Sequence, residues 1–342
     1  MLKAVRMEVM GILRQYGESA AGMRTKAADL VDPTILQAVV IDECSLYHEK
    51  SNHSHAPPMV RSFLFVPGDS LRKFGKAASG DTHALILDLE DSVAPDNKVG
   101  ARDSVCEMLK AGAAGKTLWV RINSLDTQWA LADLAAVVPA RPYGIVLPKS
   151  RSGADVKKLS YYLDALEAAS GMPAGAIRIF AIATELGNAM FNMGTYVGIS
   201  ARLWGLTWGA EDLAADLGAL SNRANGRFTE PYRLARSLCL YAAANAGVPA
   251  FDTVCAELED LELLRTEAEE ARRDGFVGKM AIHPKHIAVI NAAFMPSEAE
   301  REWARRIVAA FEANPDAGTF RLDGKMIDRP HLRAARRTLG LE

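Results

Sequence analysis

The acids of this chain gather where short apolar runs stop. The run Ala84–Leu87 leads straight into Asp88, with Glu90 and Asp91 just after it. Arg121 and Asn123 end a later run, Lys149 the next, Glu185 the next, and Glu211 and Asp212 the one after that. Asp252 lies within a seventh run and His283 ends an eighth. Three carboxylates beside one buried strand are costly to desolvate unless they are paired or coordinated. Hard divalent cations such as Mg²⁺ take carboxylate oxygens and complete their shell with water or substrate oxygens. Glu185 and Asp212 are the best candidates for such ligands. Glu211 and Asp212 are adjacent, so one of the two points inward if the backbone there is extended. An arginine fork such as Arg121 meets an anionic oxygen through two parallel N–H groups. Its alternative use is a structural ion pair with the acids of the second run. His283, before Pro284, reads as a satisfied histidine at a helix start rather than a general acid or base.

These residues need elements to hold them. The apolar runs are 62–67, 84–90, 117–123, 144–149, 177–185, 202–212, 249–254 and 276–284. Such runs, without polar alternation, read as parallel strands covered on both faces. Helical stretches lie between them. In Ala154–Ser170, Val156, Leu159, Tyr162, Leu163 and Leu166 form one stripe. Glu230–Gly247 closes on a glycine suited to a C-cap. Strand and helix alternating eight times predicts an α/β fold, a (β/α)8 TIM barrel. All the strand-end residues would then share one face. A doubly wound sheet is the competing architecture, weakened because no GxGxxG follows the first strand.

Composition bounds the rest. The 342 residues are 49% hydrophobic and 24% charged, with a formal net charge of -2. The charge gives no electrostatic case for nucleic acid, and no stretch is apolar enough for a membrane span. Cys44, Cys106, Cys239 and Cys255 are too widely spaced for a zinc pattern and read as reduced thiols in a cytoplasmic protein. Met1–Arg14 lacks the apolar core and cleavage site of a secretory signal. Residues 1–57 form an extension ending in the linker HEKSNHSHAPP, where His48, His53 and His55 lack the acids or thiols of a metal tract. Residues 58–295 form the catalytic barrel, and 296–342 a C-terminal helical extension. There Ser297 and Glu300 make a capping box, followed by the stripe Trp303, Ile307, Phe311 and a turn at Asp323–Gly324. That tail is too short to stand alone and should pack on this barrel or a neighbour's.

The ordered motifs RSFLFVPG, LILDLEDSV, VRIN, LPK, TELGNAMFN, LTWGAEDL, GKMAIHP and DGKMID resemble the citrate lyase β-subunit-like branch of the HpcH/HpaI aldolase superfamily. That branch includes malyl-CoA and citramalyl-CoA lyases. The resemblance runs from Arg61 to the C-terminus and implies a Mg²⁺-dependent carbon–carbon lyase. Its substrate would be a 3-hydroxyacyl-CoA, cleaved to acetyl-CoA and a 2-oxo acid in a homotrimer or hexamer. It implies Glu185 and Asp212 as metal ligands, with Arg121 as the substrate-binding, catalytic arginine. Asp88, Glu90 and Asp91 would support metal-bound waters. Arg61, Lys98 and Arg102 would lie near the substrate or CoA entrance, and Asp328 would be an acid entering a neighbouring subunit's site. Leu186 after Glu185 departs from the family's small residues there. An aldolase of free 2-oxo acids, a malyl-CoA-type thioesterase and a non-catalytic partner subunit are the competing functions.

Overall fold

Continuous apolar runs form strands when both faces are covered, and eight of them do so here. A computed structural model describes residues 60–315 and 317–341; the expectations for residues 1–57, including the histidine-bearing linker, lie outside them. The chain runs β1 (Ser62–Pro67), α1 (Leu71–Ala78), β2 (Ala84–Asp88), α2 (Lys98–Ala111), β3 (Thr117–Arg121), α3 (Ala130–Val137), β4 (Gly144–Leu147) and α4 (Gly153–Ala169). It continues through β5 (Arg178–Ile182), a 3₁₀ helix (Gly187–Tyr196), β6 (Leu203–Thr207), α5 (Ala210–Leu217), and a hairpin of β7 (Arg223–Ala224) and β8 (Arg227–Phe228). Then come α6 (Glu230–Ala246), β9 (Ala250–Asp252), α7 (Leu261–Asp274), β10 (Gly278–Ala281) and α8 (His286–Ala293).

The strands close in the order β1-β10-β9-β6-β5-β4-β3-β2, all parallel. Closure excludes the doubly wound alternative. Side chains alternate along each strand. Phe63, Ala84, Ile86, Trp119, Val146, Phe180, Phe251 and Met280 fill the barrel, while Leu85, Leu87, Val120 and Ile145 pack outward with the helices. Rings plug the interior: the Phe63–Phe180, Phe63–Phe251, Trp119–Trp204 and Trp204–Phe251 centroids lie 5.1, 5.1, 5.0 and 5.3 Å apart. Each such pair adds about 0.5–1.5 kcal/mol beyond area burial.

Beyond the barrel lie α9 (Glu298–Ala313), the hairpin β11 (Thr319–Leu322) and β12 (Lys325–Asp328), and α10 (Arg329–Leu339). Ser297 and Glu300 make the capping box that the sequence predicts. Ile307, Val308, Phe311, Ile327 and Ala335 form a small core of their own. Arg272 on α7 donates to Glu300 at 2.8 Å. No helix among the described residues is long and apolar enough to cross a membrane.

Candidate active site

Strand register brings the acids together. Asp88 pairs with Arg121 across β2 and β3. Both share the inward parity of Ile86 and Trp119, so both top the barrel's ring layers. The Arg121 Nε and Nη2 donate to the two Asp88 oxygens at 2.7 Å each. Asp88 also accepts the Glu90 and Ser92 amides at 2.9 and 3.1 Å, which folds the β2–α2 turn. Burial works against its ionisation, but Arg121 and these donors hold its carboxyl below the usual range. Burial likewise opposes the Arg121 charge, and Asp88 and Glu90 raise its pKa. The structural ion pair and the strand-end position of Arg121 therefore coexist.

Glu90 bridges two cations. Its Oε2 lies 3.0 Å from Arg121 Nη1 and its Oε1 2.5 Å from Lys149 Nζ. Burial still pushes its carboxyl up to about 7. Lys149 Nζ also reaches Asp91 at 3.3 Å and Asp212 at 3.1 Å. The Lys149 amide donates to Glu185 Oε2. Glu185 is only 2% exposed, and no ion pair reaches it among the described residues. Burial first, then Asp212 and Glu90, raise its pKa well above normal. Gly209 makes room for it: a Cβ there would lie 2.6 Å from Glu185 Cγ. Asp212 sits in the first turn of α5, and its neighbour Glu211 turns away to accept from Asn222 at 2.8 Å.

This donor set fits a hard divalent cation. Glu185 is a buried carboxylate without a cation, and the buried Glu90 Oε2 lacks a well-aligned hydrogen bond. No three His, Cys, Asp or Glu side chains among the described residues converge as a complete cage. Two carboxylates completed by water and substrate oxygens are a common Mg²⁺ arrangement.

Asp88, Glu90, Asp91, Arg121, Glu185 and Asp212 thus meet at one mouth, and others do not join them. Arg61 precedes β1, and its carbonyl accepts the Lys279 amide at 2.9 Å. Pro67, at the other end of β1, is the residue in register with Asp88. Six residues at about 3.3 Å each put Arg61 some 20 Å away. Strand polarity thus overturns the expectation that Arg61 serves this barrel's substrate entrance. Lys98 is buried and donates to the Leu89 and Glu90 carbonyls at 2.9 and 2.8 Å, so its ammonium is spent fixing the acidic turn from below. Arg102 Nε donates to Asp133 at 2.8 Å, and Asp133 accepts the Asn123 amide and Nδ2 at 2.9 and 2.7 Å. That relay braces the β3–α3 loop. Asp328 caps α10, where its carboxylate and His331 Nδ1 are 2.5 Å apart. Asp328 thus has a partner within its own chain, three residues on. The Lys285 amide donates to His283 Nδ1 at 3.2 Å, consistent with a helix-start role. Lys149 is the residue that sequence reasoning left without a function.

Barrel and mouth together define a class: (β/α)8 proteins with paired carboxylates at the strand ends. The family model for HpcH/HpaI aldolase/citrate lyase matches residues 61–284, and the chain belongs to that family. It is 36% identical over 293 residues to a (3S)-malyl-CoA thioesterase of Cereibacter sphaeroides, covering 84% of this chain and 95% of the relative. It is 31% identical over 327 residues to the mitochondrial citramalyl-CoA lyase of Rattus norvegicus, covering 90% and 93%. Among solved structures it resembles the protein CitE of Mycobacterium tuberculosis in complex with magnesium, acetoacetate and coenzyme A. There the TM-score is 0.70 and the identity 31%, over 82% of this chain and 97% of the other.

Proposed function

We propose that the protein is a Mg²⁺-dependent lyase that cleaves a 3-hydroxyacyl-CoA of the malyl-, citramalyl- or citryl-CoA type to acetyl-CoA and a 2-oxo acid. The observation that carries this is the mouth itself: Glu185 and Asp212 lie beside each other with Arg121 and Lys149 around them. Glu185 and Asp212 would hold the cation, with Glu90 and Asp91 flanking it. When bound, the cation supplies Lewis-acid polarisation of the 2-oxo acid fragment. Arg121 would stabilise negative charge developing on the substrate oxygen. The Asp88 carboxylate holds the guanidinium plane fixed, so little reorganisation is needed. The substrate hydroxyl would lose its proton to water as the C–C bond breaks, and Asp328 of a neighbouring subunit would protonate the departing acetyl-CoA carbanion equivalent. This requires a trimer or hexamer whose tail, residues 296–342, covers the next mouth. Cys106, Cys239 and Cys255 are unpaired, which supports a cytoplasmic setting.

The likeness to a (3S)-malyl-CoA thioesterase favours one second reading, hydrolysis of the thioester. Incubation of malyl-CoA and citramalyl-CoA with the protein and Mg²⁺ distinguishes the two by mass spectrometry. Acetyl-CoA and a 2-oxo acid are the expected products; free CoA with the intact hydroxy acid would establish the thioesterase instead. The shared site is tested by subunit exchange. Asp328→Asn and Glu185→Ala proteins, each inactive, should regain part of the activity when mixed. No recovery in demonstrably mixed oligomers overturns it.

A further inference from the structure

Lys149 follows β4 with φ +50°, a left-handed backbone that strains a non-glycine residue. Such strain persists where the surroundings over-determine it. Here two groups of one residue are engaged at once. The amide holds Glu185. The side chain, only a quarter exposed, brings three ammonium donors to three carboxylates: Glu90 at 2.5 Å, Asp212 at 3.1 Å and Asp91 at 3.3 Å. These come from the β2–α2 turn and from α5, two segments that only the barrel brings together. Arg121 is held by both Asp88 oxygens and reaches Glu90 from one side, so Lys149 is the cation that Glu90, Asp91 and Asp212 share. An ammonium surrounded by carboxylate oxygens occupies the kind of shell that a hard divalent cation requires.

We propose that the Lys149 ammonium is a placeholder for the divalent cation: it keeps the carboxylates assembled while the site is empty and is displaced from Asp212 when the cation enters. This rests on the reading of Glu185 and Asp212 as cation ligands. The placeholder makes two physical demands. A positive charge beside a cation site weakens cation binding through Coulomb repulsion. Removing it leaves the empty site's like charges facing one another. Lys149→Met removes the ammonium and keeps the amide that anchors Glu185, so the two functions of the residue separate.

The test is Mn²⁺ binding to the full-length protein after EDTA dialysis, read by electron paramagnetic resonance, with thermal melts of the metal-free proteins alongside. Lys149→Met should bind Mn²⁺ at least fivefold more tightly than wild type and melt at a lower temperature without metal. Lys149→Arg, which keeps the charge, should bind within twofold of wild type. Lys149→Gly relieves the backbone strain and supplies the same measurement if the methionine variant folds poorly. Equal or weaker binding by the Met and Gly variants, with tight wild-type binding, overturns the proposal alone. A wild type that binds no Mn²⁺ overturns both the proposal and the cation site.

Discussion

Two ionic networks sit on this barrel, and they differ in how their carboxylates are closed off. One is the mouth. The other lies between the barrel and its helices, where Asp252 on β9 meets Lys279 on β10. There Lys279 Nζ donates to Asp252 at 2.7 Å and lies 3.3 Å from Glu267. Asp252 also accepts from Trp208 Nε1 at 2.7 Å and Arg236 Nε at 3.2 Å. Arg223, in the β7–β8 hairpin, pairs with Glu267 at 2.5 Å. Lys279 is wholly buried, and burial opposes its charge, but Asp252 and Glu267 raise its pKa. Burial opposes the Asp252 charge too, yet Lys279 and Arg236 hold that carboxyl low. At the mouth the sign is reversed, with Glu90 and Glu185 pushed up. A strand-end acid with a complete set of donors is structure. One whose burial outweighs the cations around it, as with Glu90 and Glu185, marks a candidate functional site.

The largest effect should come from removing mouth ligands. Glu185→Gln or Asp212→Ala should cut Mg²⁺-dependent turnover more than about a thousandfold, the scale of a lost electrostatic contact to the reacting group. Glu185→Gln should not lower the metal-free melting temperature, because a buried carboxylate without an ion pair gives way to a neutral amide whose oxygen can still accept from the Lys149 amide. A marked fall in that temperature would make Glu185 structural after all.

Asp252→Ala should behave in the opposite way. It leaves the buried Lys279 ammonium with Glu267 alone and should cost about 3–5 kcal/mol of stability, read by urea unfolding. The KM for Mg²⁺ in the folded fraction should stay near wild type. Unchanged stability would erase the distinction between the networks.

Arg121→Lys should lower kcat/KM by about 2–4 kcal/mol of transition-state stabilisation, since an ammonium cannot reproduce the fork on Asp88 and substrate together. Near-normal kcat/KM would assign the arginine to structure only.

The smallest effect is in pH dependence. In the folded state Glu90 titrates at about 7, against 4.5 as its ordinary value. Between these values the native protein binds the extra proton, so metal-free stability is full below pH 4.5 for this group and falls as pH rises to about 7. Asp252 has the opposite sign: its stabilisation is present above the ordinary carboxylate range and is lost as pH falls through its lowered folded value. Melts in EDTA from pH 5 to 8 should show the first trend, and Glu90→Gln should reduce its slope, the remainder coming from Glu185, which is also pushed up. A slope unchanged in Glu90→Gln would assign the trend elsewhere.

The eight strands were legible because buried parallel strands are apolar without interruption and stop at polar residues. The β7–β8 hairpin was not. Its strands are two residues each, too short for alternation, although Asn225–Gly226 with φ 51° and 75° is a turn that permits them. Asp252 and Glu185 look alike in sequence. They diverge through Lys279, Arg236 and Trp208, which lie 27, 16 and 44 residues from Asp252 on other elements and loops. The role of Lys149 depends on a backbone angle that no residue type announces. Arg61 was legible in principle, since it precedes its strand and the site follows the strands. The Asp328–His331 cap was also present as an acid followed by Arg329, Pro330 and His331.

The ring-filled barrel gives the mouth a consequence for traffic. Phe63, Phe180, Trp204 and Phe251 leave no passage along the axis, so the barrel is a cup and not a pipe. Whatever enters over Glu185 must leave the same way. In the lyase reaction proposed above, two fragments made at the bottom of a cup would depart in an order, the outer before the inner. The fragment held deepest, against Arg121 and the paired carboxylates, would be the last to go and the first to be held when that reaction runs backward.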